Sequence, residues 1–280
     1  MKKLILLLPC LYCTCLLPAQ NTVKSRKEAV DKVLYSKGYV GFSFTPQWVH
    51  KASIKHIQGP YKLGASNTLG VELGLNYYRN FNKKYTLVTG IHVGASGRTH
   101  KLSIRGNDFT PPLGYDVQHG PQLTLMLDPY LSVPIWLQRN WVIKHNRRWY
   151  ARAGINIRYF PDEIYESNLF SVRRDNTQSI RVLEMDLEVF QNFKPWVNYN
   201  IGGGHTWLLR NNNLLQVGLL ANFSATELAA GEYFITVPGK PLSRGEYGSK
   251  MSYLGLSVNY IFTRVNRKLT RLYEKELNLR

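Results

Sequence analysis

The chain has 280 residues, 36 basic and 18 acidic side chains, a formal charge of +18, 12% aromatic residues and only 19% charged ones. All three cysteines, Cys10, Cys13 and Cys15, sit in an apolar N-terminal leader, so the remainder has no disulfide framework, no thiol nucleophile and no Cys-ligated metal. No later segment approaches ~18 uninterrupted apolar residues, which excludes a helical membrane protein.

Lys2 and Lys3 precede an apolar stretch from Leu4 to Leu17 that ends in Pro18-Ala19-Gln20. A basic start, a short apolar run and a small residue near the cut predict a secretory signal peptide over residues 1–20. The run is too short, and too broken by Pro9, for a spanning helix. Removing Lys2 and Lys3 with the signal lowers the charge from +18 to +16. None of the cysteines follows the small residues that a lipid-anchor cysteine expects, so a lipoprotein is disfavoured. Residues 21–37 form an expected periplasmic N-terminal segment: Ser25-Arg26-Lys27-Glu28 has capping-box spacing and leads into Ala29, Val30, Val33 and Leu34 at helical intervals.

Residues 38–263 read as strands. From Thr68 to Tyr78, Leu69, Val71, Leu73, Leu75 and Tyr77 alternate strictly with small or polar residues. The same period of two recurs at Val40-Phe42-Phe44, at Leu87, Ile91 and Val93, at Leu131–Leu137, at Ala153–Tyr159, at Val197–Ile201, at Leu215–Phe223 and at Leu254–Phe262. These eight segments suit tilted strands crossing about 25 Å of hydrocarbon. The opposite faces are rich in Gly and Asn, which fits the crowded interior of an eight-stranded barrel. Connections alternate short and long, so both termini fall on the short-turn, periplasmic side.

The predicted class is therefore all-β, a transmembrane antiparallel up-and-down β-barrel with short flanking helices. Ten strands is the competing count, because Arg181–Phe190 also alternates and Tyr233–Val237 could be a further strand. Eight is preferred, with Arg181–Phe190 as an extended hairpin arm above the membrane. Residues 264–280 form a basic C-terminal periplasmic tail, in which Val265, Leu269, Leu272, Tyr273 and Leu277 share one helical face. Frayed, solvated tails at both ends are an equal alternative to short amphipathic helices.

Several stretches, Tyr130–Leu137, Ala153-Gly154-Ile155-Asn156, Asn211–Leu215, Gly245-Glu246-Tyr247 and above all Tyr253–Arg264, resemble the outer-membrane β-barrel proteins of Bacteroidetes-type bacteria. A leader ending in Ala19-Gln20 is similar to theirs. The resemblance implies a porin-like cell-envelope architecture and carries no catalytic motif across. It also implies that an aromatic such as Phe262 helps barrel insertion. The tail beyond Arg264 departs from the smallest members, which finish at or near their last strand.

The topology gives the charge a location. On the predicted periplasmic side stand 19 bases against Glu28, Asp31, Glu274 and Glu276, a balance of +15, whereas the four long loops hold 13 bases and 12 acids. Lys83, Lys84, Arg147, Arg148, Arg267, Lys268 and Arg271 are the core of this basic rim. Anionic lipid headgroups are the partner it fits, at about 1 kcal/mol per cation near the surface. Nucleic acid is a poor explanation, since no reading module accompanies the charge.

Among candidates for chemistry, Glu72, Arg152 and Arg158 share the inward face and form an expected lumen charge network, since buried charges must be paired. His92 and Ser96 also face inward, but with no acid placed locally they are a weak basis for a lipid hydrolase. His205 near Trp207 fits an interfacial girdle. Glu184, Asp186 and Glu188 could hold Ca²⁺, yet lack the Gly-containing Asp loop and read as a solvated hairpin face. No phosphate loop, zinc motif or dinucleotide fingerprint occurs, so no cofactor and no catalytic residue is assigned. The expected function is non-enzymatic, in binding or envelope organisation through surface loops or the basic rim. Passive transport of small solutes is the alternative, and lipid hydrolysis the second.

Overall fold

Period-two alternation sets the architecture seen in the computed structural model, which describes residues 38–82, 84–119, 126–144, 147–160, 170–173, 179–189, 195–209 and 213–263. Its strands in chain order are β1 (Tyr39–Val49), β2 (Ser53–Gln58), β3 (Gly64–Ala65), β4 (Thr68–Asn80), β5 (Tyr85–Arg98), β6 (His100–Ile104), β7 (Val117–His119) and β8 (Met126–Lys144). They continue with β9 (Arg147–Tyr159), β10 (Phe170–Arg173), β11 (Ser179–Val189), β12 (Trp196–Leu208), β13 (Leu214–Ser224), β14 (Ala229–Ile235), β15 (Ser243–Ser249) and β16 (Tyr253–Phe262).

Eight of these close into a barrel in the order β1-β16-β13-β12-β9-β8-β5-β4. The seam is an antiparallel pairing from Val40↔Phe262 to Val49↔Tyr253, so the first and last strands begin and end at the same rim. Closure leaves no barrel edge with unpaired backbone groups, which hydrocarbon requires. That rim also carries the short links. At the β4–β5 turn the Asn82 side-chain oxygen accepts the backbone N–H groups of Lys84 and Tyr85, each at 2.8 Å, an Asx-type closure that fixes the hairpin register.

The outward rows are apolar and stand free of protein contacts. Leu69 is 60% exposed, Leu75 61% and Leu219 72%, and the same rows continue through Phe42, Phe44, Ile91, Ile135, Ile201 and Leu256. A soluble protein does not leave a contiguous apolar belt of this extent around a barrel. The belt meets lipid. At the short-link rim it ends in aromatics: the His205 ring lies 3.6 Å from that of Trp149 and 5.6 Å from that of Trp207, centroid to centroid.

The described parts of the long links are folded, and this is where the structure adds most to the sequence. Strands β10-β11-β14-β15-β2 form a five-stranded sheet and β3-β6-β7 a three-stranded one. Between them lies a hydrophobic core that includes Leu102, Ile104, Phe109, Leu183, Met185, Tyr233, Ile235 and Tyr247. All four long links contribute to it. The two segments that made ten strands a competing count, Arg181–Phe190 and Tyr233–Val237, fall largely within β11 and β14, which pair with one another in this cap rather than joining the barrel. The barrel has eight strands, and the hairpin arm is one component of a small two-layered cap.

Candidate functional site

Inward-facing side chains fill the barrel in layers. At the short-link end Tyr39, Tyr78, Val88, Trp136, Leu214 and Ile261 pack together. At the cap end Tyr130, Phe160, Trp196, Leu228 and Met251 form a second apolar layer. The Tyr39 and Tyr78 rings stack at 5.2 Å, and the Trp196 indole N–H donates to Thr226 Oγ1 at 3.1 Å. A polar layer lies between these two lids.

Glycine makes this filling possible. A Cβ on Gly74 would meet the His92 ring at 2.1 Å, and one on Gly94 would meet the Tyr130 ring at 2.3 Å. These two glycines on β4 and β5 give up a side chain so that two rings can cross the lumen.

The upper part of the polar layer centres on Glu72, which is 2% exposed. His92 Nδ1 lies 2.9 Å from Glu72 Oε1, and the Tyr130 hydroxyl donates to Glu72 Oε2 at 3.0 Å. Arg158 Nη2 completes an ion pair at 3.6 Å from Glu72 Oε2. The Arg158 guanidinium also sits 4.3 Å from the centroid of the Tyr130 ring and 5.2 Å from that of Tyr253. Gln47 Nε2 donates to the Tyr130 hydroxyl at 3.0 Å, tying β1 into the same network.

Arg152 stands apart. It lies lower on β9, its Nη2 donating to Ser257 Oγ at 2.9 Å and its guanidinium 4.0 Å from the centroid of the Trp136 ring. Trp136 in turn donates its indole N–H to Asn156 Oδ1 at 2.7 Å. Of the three residues expected to form one lumen network, Glu72 and Arg158 come together. Arg152 is compensated by an aromatic face and a hydroxyl instead.

His92 brings in what local sequence could not. Its acid partner exists, on the neighbouring strand, because the β4–β5 register sets Gly74 opposite His92 and Glu72 opposite Gly94. The second ring nitrogen, Nε2, is 2.8 Å from Asn76 Oδ1. With both nitrogens engaged, His92 has none left to activate a hydroxyl. Ser96 is buried two pleat repeats higher, paired in register with Asp128 of β8.

The basic rim is only partly within the described residues. Lys84 and Arg147 are exposed at the short-link end. Arg148 differs from expectation: it is 5% exposed, because adjacent residues of β9 point to opposite faces and Arg148 takes the inward one. Lys83, Arg267, Lys268 and Arg271 lie outside the described residues, as do the signal, the N-terminal segment and the tail.

In the cap, Glu184 and Asp186 are exposed on β11, and Arg181 Nη1 lies 3.9 Å from Glu184 Oε2. Asp186 pairs in register with Glu232, Glu232 with Glu246, and Glu246 with Lys55, whose Nζ is 3.1 Å from Glu246 Oε2. Among the described residues no group of three or more His, Cys, Asp or Glu side chains is arranged to hold a metal ion. In the cap core, burial and the Asp108 carboxylate push the Tyr61 phenol above its ordinary pKa, and burial does the same to Tyr233.

The class these features define is a closed eight-stranded transmembrane β-barrel, side-chain-filled, with a folded cap over one mouth. No protein-family model matches the chain and no curated protein matches it in sequence. Among solved structures it is similar to the outer membrane protein OprG from Pseudomonas aeruginosa, at 15% identity and a TM-score of 0.42, covering 81% of this chain and 96% of that one. It is also similar to Neisserial surface protein A, at 9% identity and a TM-score of 0.38, covering 80% and 96%. A third is the outer membrane protein AlkL in lipid bilayers, at 12% identity and a TM-score of 0.35, covering 83% and 93%.

Proposed function

We propose that the protein is an integral outer-membrane barrel, of the Bacteroidetes-type group its sequence resembles, that acts as a closed anchor presenting a folded cap for binding. The role is non-enzymatic. The observation that carries this reading is the cap core: residues from all four long links, including Leu63, Ile104, Met185 and Tyr233, are buried together above a lumen filled by two apolar layers. Ordering four links costs conformational entropy that a pore has no need to lose. A binding platform does need it, since a preorganised surface lowers the ordering cost at the moment of binding.

The cap is assigned to the outer face, and the short-link rim with Lys84 and Arg147 to the periplasmic leaflet, where these cations would meet anionic headgroups. Conductance separates the anchor from passive transport. Purified protein reconstituted in planar bilayers is expected to give no sustained single-channel steps. Steps from every preparation would replace the anchor with a channel.

A further inference from the structure

A cavity of about 800 Å³ lies between the cap and the barrel rim, directly above the β1–β16 seam. It is lined by the apolar side chains of Ile54, Leu63 and Met251 together with His50, Lys51 and Lys250. Glu227 also lines it, against Gly248, leaving the cations in excess.

The cationic side is held in place by backbone contacts. His50 N–H donates to Ser252 O at 2.8 Å across the seam, and Lys51 N–H donates to Asn67 Oδ1 at 2.9 Å. Next to Lys250, Met251 adopts a φ of +43° while buried in the upper lumen layer with Tyr130 and Trp196. A non-glycine residue in the left-handed region is kept there only when its surroundings over-determine it. Here packing holds the backbone from which Lys250 emerges.

The level in the membrane identifies the ligand. Trp48 of β1 pairs in register with Leu254 of β16, and both are exposed to lipid immediately below the cavity, at 55% and 64%. A molecule with its charge on Lys51 and Lys250 would run its apolar part down over Trp48 and Leu254. We propose that this cavity binds the phosphorylated headgroup of an outer-leaflet lipid, with Lys51 and Lys250 on the phosphate and Trp48 and Leu254 along the first carbons of the chains. Two lysines lining one cavity, against the single carboxylate of Glu227, call for an anion, and the lipid-facing pair below it calls for an amphiphile rather than a free ion. The inference rests on the outer-membrane reading above and adds a ligand class at the rim opposite the basic periplasmic one.

The test uses the full chain, refolded in vesicles of zwitterionic phospholipid doped with lipid A or with dephosphorylated lipid A, and counts by mass spectrometry the doped lipid retained after purification. Retention of the phosphorylated form by the native chain, falling about thirtyfold in K51A/K250A as expected for two cations lost beside anionic headgroups, supports the site. The conservative K51R/K250R chain is expected to retain it, and K84A/R147A, at the far rim, to be unaffected. Equal retention of the two lipids, or equal retention by K51A/K250A, overturns the proposal. So does displacement of the lipid by inorganic phosphate at comparable concentration, which would assign a free ion. Insertion is scored separately, by the heat-dependent gel mobility of a folded barrel. If the native chain does not insert, the outer-membrane reading fails; if it inserts without retaining lipid A, only this inference does.

Discussion

At the scale of residues the lumen is a study in how charge survives burial. Glu72 has three partners, His92, Tyr130 and Arg158, from three other strands. Deleting its carboxylate leaves Arg158 as an uncompensated cation in the barrel interior, which costs about 3–5 kcal/mol. Urea unfolding of Glu72→Ala in lipid vesicles is expected to show a loss of that size. Arg152 behaves differently, since among the described residues no carboxylate pairs with it and the Trp136 face only offsets its desolvation. Arg152→Met should change stability by no more than about 1 kcal/mol by the same measurement, because losing the cation–aromatic contact and relieving a buried charge oppose one another. A large loss from Arg152→Met would mean that it has an acidic partner after all.

These contacts also mark how far sequence reaches. Alternation alone put Glu72, His92, Arg152 and Arg158 on the inward face, since a strand period of two assigns every side chain once one is assigned. Which of them meet depends on register and on height along the barrel, and neither is written in any one segment. The His92–Glu72 contact could have been found by counting back through the hairpin turn at Asn82. Arg158 over Arg152 as the partner of Glu72 could not, because it is fixed by strands far apart in sequence.

At the scale of elements the cap was legible in pieces. Leu183, Met185 and Leu187 alternate as clearly as any barrel strand, and so do Leu102 and Ile104 within a long link. Such alternation states that one face is buried and leaves open what buries it. Ten strands competes with eight for that reason, and the assembly of β2, β11, β14 and β15 into one sheet is written in no single segment. Titration gives the cap its own signature. Tyr61 and Tyr233 have pKa values raised above the ordinary phenol value by burial, so their contribution to cap stability is complete below about pH 10. It is lost as pH rises through the folded values. Limited proteolysis at pH 8 and pH 11 should therefore nick the cap links at the higher pH while the lipid-embedded strands stay intact. A cap equally resistant at both values would argue that neither phenol is held in its interior.

At the scale of the whole molecule, a belt of lipid-facing side chains, a lumen closed at both ends and a folded cap over one rim belong to a single arrangement. The overall charge of +18 first looks like a property of the entire chain. Sequence alternation predicts that most of it falls on one rim; of that rim, Lys84 and Arg147 stand exposed in the described residues while Arg148 is drawn inward. The cap turns the opposite rim from a set of loops into a surface of fixed shape.

Amide hydrogen exchange on the protein in lipid vesicles distinguishes a folded cap from loose links most directly at two of its strands. Amides of β11 (Ser179–Val189) and β14 (Ala229–Ile235) are predicted to exchange far more slowly than unstructured peptide, protected by their shared ladder and the core beneath it. Exchange of both segments at the rate of free peptide, with the barrel strands still protected, would contradict the account.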